Sequence, residues 1–136
     1  WYQRARALPS RDAGQIGHER ESEFFLALTR GEQRDPSLIE ELARSVADVW
    51  RRTGCLLLLA AHAVTFGLPT AVEAATAALD AYDRVPHDEA FAHWCLVRLH
   101  NGLLDLSPVV SRRAGELLVS RRELAARPGC TREQQA

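Results

Sequence analysis

The sequence predicts an all-α protein of about six helices paired as three antiparallel hairpins, arranged as a right-handed α-repeat stack or as a compact helical bundle. Three observations carry this. Pro36-Ser37-Leu38-Ile39-Glu40 and Pro69-Thr70-Ala71-Val72-Glu73 repeat one helix-starting pattern, with a hydroxyl residue three positions before a glutamate, and Ser107-Pro108 opens a close variant. The starts recur at roughly 33 to 39 residues, the spacing of helical hairpin arrays. No segment alternates apolar and polar residues with period two for long enough to form a strand.

Pro9-Ser10 breaks the leading segment, and Gly14 and Gly17 weaken a helix there, so the first helix is expected from about His18 to Arg30, burying Phe24, Ala27 and Leu28 before Gly31 stops it. The second runs from about Pro36 to Arg52. Ile39, Leu42, Ala43, Val46, Val49 and Trp50 form its apolar face, and Glu40 with Arg44 and Asp48 with Arg52 make i,i+4 pairs outside. Gly54 then divides it from Cys55–Phe66, which is apolar almost all round and therefore belongs at the centre of the fold. Thr70 caps an alanine-rich helix to about Tyr82, whose small side chains let neighbours approach closely. After Val85-Pro86 a fifth helix packs Phe91, Trp94, Cys95, Leu99 and Leu103. The sixth extends from Pro108 to about Ala126, with Val110, Ala114, Leu117, Leu118 and Leu124 inward, until Pro128-Gly129 ends it.

Residues 10–127 are expected to form one such domain, with 1–9 as a helical tail continuing from a missing upstream region and 128–136 as a flexible tail. A net charge of −1 argues against a polyanion as the natural partner, so nucleic acid is not the expected ligand. All basic residues are arginine, which marks a GC-rich coding sequence and, with it, a bacterial source. Cys55, Cys95 and Cys130 are odd in number and lack C-x-x-C spacing, which is neither a disulfide framework nor a zinc ribbon and suggests a reducing cytoplasm. The longest apolar run, Cys55 to Val64, is about half what a bilayer crossing needs. No membrane partner and no cofactor are expected.

Helical hairpins at this spacing resemble tetratricopeptide and related α-repeats in architecture. With Pro86 set at the closing proline of that motif, Ala74 and Ala81 fall where its second helix takes small residues. His62 stands where the first helix takes Gly or Ala, and Leu58 where it takes Trp. The resemblance is therefore to the architecture, over one unit, and not to the family.

Among groups that carry chemistry, Glu89 and His93 stand at i,i+4 on one helical face, a spacing that supplies two metal ligands in a bundle interior. Further ligands would have to come from another helix, with His62 and Glu73 as the candidates. The competing reading is an ion pair on an exposed turn. His62 within the apolar helix is either a satisfied core histidine or a general base lining a pocket. Arg112, Arg113, Arg121 and Arg122 lay arginines along nearly one side of the last helix, as a surface for an acidic partner, as a solvated face, or as the complement of the acidic stretch containing Glu73, Asp80, Asp83, Asp88 and Glu89. Gly102 and Gly115 are candidate packing notches. No nucleophile elbow or glycine-rich phosphate loop is present.

The function this predicts is a non-catalytic helical-repeat domain that binds a protein or peptide partner, or a second copy of itself. The alternative is a small all-α enzyme or ligand- or metal-binding domain with a pocket beside the Cys55–Phe66 helix.

Overall fold

The computed structural model describes residues 13–85 and 90–126, with side chains described between 18 and 120. Six helices fill this range: α1 Ala13–Thr29, α2 Ser37–Ser45, α3 Val49–Thr65, α4 Ala71–Arg84, α5 Ala90–Gly102 and α6 Pro108–Ala126. No strand occurs among the described residues, and no helix there is long and apolar enough to cross a membrane. The expected tails at 1–9 and 128–136 lie outside the described residues, as do Glu89 and Cys130.

Two helices end on the same device. Gly31 and Gly67 adopt φ of +72° and +62°, a left-handed conformation that glycine takes without strain. After each, the next amide bonds back five residues to a helix carbonyl, Glu32 N–H to Ala27 O and Leu68 N–H to Ala63 O, both at 2.9 Å. These bonds satisfy carbonyls that a helix end otherwise leaves open.

The starts differ from the sequence reading. The expected helix from Pro36 to Arg52 breaks at Val46, whose backbone is extended, and the chain starts a new helix after Asp48. Asp48 Oδ1 accepts from Trp50 N–H at 2.9 Å, so an aspartate cap fixes the boundary and Gly54 lies buried inside α3 instead of dividing it. Arg52, expected to pair with Asp48, instead donates from Nη2 to the Val46 carbonyl at 2.6 Å, satisfying a group the break sets free. The expected Glu40–Arg44 pair is also not among the ion pairs of the described residues. Neither Pro36 nor Thr70 caps through its side chain, and Ser37 turns back to Asp35 Oδ1 through both its amide and its hydroxyl. Ser107 does cap, accepting from Val110 N–H at 3.4 Å, with Pro108 as the first residue of α6.

The apolar α3 sits at the centre, packed against α1, α2, α4 and α5, while α6 covers α5 and touches α4. Leu57 and Leu58 are fully buried there with Leu79, Leu96, Leu99 and Leu103. Each such leucine contributes about 2 kcal/mol by leaving water, and truncating Leu58 to alanine would cost about 2–5 kcal/mol. Small residues set the closest approaches. Ala71, Ala75 and Ala78 are buried in α4, which packs on α3, and Gly102 leaves room for the Val64 side chain between α5 and α3. Across α3, Phe25 of α1 meets Phe91 at 5.9 Å and Trp94 edge-on at 5.4 Å, which brings the first hairpin to the third. The contacts make this an all-α helical bundle.

Candidate functional site

A cleft of about 680 Å³ lies along α6 against the end of α5, lined by Leu104, Pro108, Ser111, Arg112, Gly115, Glu116 and Val119 among others. Its α6 residues recur at helical spacing, so one face of that helix forms a wall. His100 builds the floor. Its Nδ1 stands 2.8 Å from the Ser111 carbonyl, while the Ser111 hydroxyl donates to the His100 carbonyl at 2.5 Å. Gly115 leaves the space the ring occupies, since a β-carbon there would lie 2.9 Å from both Cε1 and Nδ1. Leu104 and Val119 line this cleft and are each more than half exposed, and Leu106 and Val109, close in sequence to its lining residues, are exposed at 68% and 78%. Large apolar side chains grouped in this way on a surface are unusual without something to cover them.

The four arginines expected to face a partner separate here. Arg113 is bound within the chain, with Nη1 at 2.7 Å from Asp80 and Nη2 at 3.8 Å from Asp83, so it ties α6 to α4. This is the complement of the acidic stretch that the sequence offered as one reading. Arg112, exposed at the cleft, makes no ion pair among the described residues. Arg121 and Arg122 lie in α6, but their side chains are outside the described set.

His62 and Glu73, two of the candidate ligands, do share a cleft. It measures about 370 Å³ where α2, α3 and α4 meet, and Glu40 lines it as well. His62 is 3% exposed, flanked by Phe24 and Phe66 at ring distances of 5.2 and 5.0 Å, and its Nε2 is buried without a hydrogen-bond partner. Burial pushes its imidazole below the ordinary value, against the opposing effects of the Arg34 backbone and the Glu40 charge. His93 is exposed on α5 and is not part of this cleft, and Glu89 lies outside the described residues. Among the described residues no three His, Cys, Asp or Glu side chains are grouped to hold a metal ion.

A third polar cluster went unread in the sequence. Cys55 Sγ donates to Glu21 Oε1 at 3.2 Å, and Arg51 Nη1 stands 3.7 Å from Glu21 Oε2, all between α1 and α3. Burial, then the Glu21 charge, pushes the Cys55 thiol far up, so it remains protonated and is not a nucleophile. The signal was available: Glu21 shares a helical face with Phe24 and Leu28, both core residues, and Arg51 stands one turn before Cys55. Cys95 is likewise fully buried, with its thiol pushed far up by burial alone.

The fold and this surface define the class as an all-α helical bundle with an apolar cleft between its last two helices. No family model, curated protein or solved structure matches the chain.

Proposed function

We propose that this chain is a helical protein-interaction domain, related to α-repeats in architecture, that receives an amphipathic helix of a partner protein in the α5–α6 cleft. The observation that carries the reading is the exposure of Leu104 and Val119 in a cleft whose floor is fixed by the His100–Ser111 bonds, with Leu106 and Val109 exposed on the same stretch of chain. A groove walled by a regular helix face suits a helical ligand that places apolar residues one turn apart. Arg112 and Glu116 both line the cleft; Arg112 makes no ion pair among the described residues while Arg113 is taken by Asp80 and Asp83, which favours an acidic residue of the partner at Arg112.

The other sizeable cleft, about 510 Å³ between α1 and α2, also has half-exposed leucines, Leu26 and Leu38. Its rim carries Arg20, Glu23, Arg30, Arg34 and Asp35, whereas the charged lining residues of the α5–α6 cleft are Arg112 and Glu116, so the α5–α6 wall is the less charged of the two. The α5–α6 face is the better docking surface.

A peptide of leucine, alanine and glutamate with helical apolar spacing, titrated into the protein, is expected to move the amide NMR signals of Leu104, Gly115 and Val119, and Arg112→Glu to weaken it. A scrambled peptide of the same composition should not. Equal shifts from both peptides would remove the reading. Concentration-dependent dimerisation in sedimentation, abolished by Val119→Glu, would replace the foreign helix with a second copy.

A further inference from the structure

We infer that the junction of α2, α3 and α4 is a binding site for a small organic cation, an ammonium or guanidinium group on a short alkyl stem. This site is separate from the α5–α6 cleft and does not depend on what binds there.

The charge comes first. Glu40 in the first turn of α2 and Glu73 in the first turn of α4 line the same cleft of about 370 Å³. Both stand in a first helical turn, where the helix dipole favours negative charge. Neither forms an ion pair among the described residues, and no arginine side chain lines the cleft. Two negative charges therefore border one space with no cation to relieve them. A bound cation supplies what the protein does not.

The second observation is independent of the glutamates. His62 lines this cleft from α3, is almost completely buried, and leaves its Nε2 without a hydrogen-bond partner. Buried polar atoms are rarely left unpaired, because the group forfeits its water without compensation. Burial holds the ring neutral, so it adds no opposing charge and has a lone pair to accept an N–H. An ammonium or guanidinium donates such an N–H and carries the charge the glutamates require.

The rest of the wall selects an organic cation over a metal ion. Leu59, Ala63, Leu68 and Ala74 present aliphatic surface that a methylene stem covers and a hydrated ion does not. No three ligating side chains are grouped for a metal among the described residues.

The test is a titration of the whole chain with butylammonium and butylguanidinium, read by the amide NMR signals of Ala63, Leu68 and Ala74, with butanol as the neutral analogue. Alanine pentapeptides with one central lysine or arginine form a second arm. Saturable shifts at these residues are expected for the cations and not for butanol. Glu40→Gln or Glu73→Gln should each weaken binding by about threefold to fivefold, as expected for partly exposed charge pairs. Both glutamates are exposed, so the variants keep the fold. Tighter binding of the pentapeptides assigns the cation to a basic side chain of a partner, and tighter binding of the free ions assigns it to a small molecule. Equal binding of butanol, unchanged affinity in the Glu40→Gln/Glu73→Gln double variant, or no shift with any probe would overturn the site.

Discussion

His100 and Ser111 hold each other in both directions, the serine hydroxyl donating to the His100 carbonyl at 2.5 Å and the His100 Nδ1 standing 2.8 Å from the Ser111 carbonyl. A carbonyl only accepts, so the pairing places the proton on Nδ1. It also fixes the ring above Gly115, where a β-carbon would fall 2.9 Å from two ring atoms. Two effects then compete in Gly115→Ala. Helix propensity favours alanine by about 1 kcal/mol, whereas forcing an atom into a packed contact costs about 1–3 kcal/mol. Because the ring is tied to Ser111 and cannot swing away cheaply, packing should win, and Gly115→Ala should lower stability by about 1 kcal/mol in urea unfolding. A gain in stability would mean that His100 is free to move.

Glu21 joins α1 to α3 by accepting from Cys55 and facing Arg51. Removing it leaves the Arg51 guanidinium largely buried without its counter-charge, and Arg51 Nη1 already has no hydrogen-bond partner. Glu21→Ala should therefore cost about 2–4 kcal/mol, more than the loss of an exposed ion pair. Replacing both groups, as Glu21→Met with Arg51→Met, should recover most of that loss, since no charge is then stranded. The double-mutant cycle read by denaturant unfolding measures the coupling. Additive losses would show that the two residues act separately.

Asp48 and Thr70 stand at two helix starts and should behave differently when truncated. Asp48 accepts from Trp50 N–H, so Asp48→Ala should cost about 1 kcal/mol. Thr70 makes no cap bond, so Thr70→Ala should change stability by less than about 0.5 kcal/mol. Thermal unfolding of the two variants checks the order.

That contrast also locates what the chain discloses before it folds. Apolar spacing made the helices and the central place of α3 legible, because burying a periodic stripe is a property of the sequence itself. The sequence points to Gly54 for the α2–α3 break because a glycine is a stronger signal on paper than Asp48. In the folded chain, a helix whose every side is covered tolerates an internal glycine, while an aspartate that captures an amide decides the boundary. The glutamates at Glu40 and Glu73 were visible as cap residues, but the cleft they share depends on how α2 and α4 meet around His62. Likewise, Arg112 and Arg113 are identical neighbours in sequence, and only the approach of α4 makes one an internal tie and leaves the other on the cleft.

His62 sets an acid limit on stability. Its folded imidazole titrates below the ordinary 6.5, with burial as the main cause and the Arg34 backbone and Glu40 charge acting in opposition. As pH falls through about 6.5 the unfolded chain takes up a proton that the native state still refuses, so the unfolded state gains and stability drops. The slope for one such group reaches about 1.4 kcal/mol per pH unit, and it ends where the native ring itself protonates. Glu73 faces the same cleft and Phe24 and Phe66 flank the ring, so no other basic group there supplies a competing transition. Asp35, whose carboxyl is held below 3.8 by Ser37, acts in a lower window. Urea unfolding at about pH 7.5 and about pH 5.5 should show the native chain losing stability and His62→Gln losing less. Equal losses in both proteins would place the acid sensitivity elsewhere and leave the buried imidazole with no part in it.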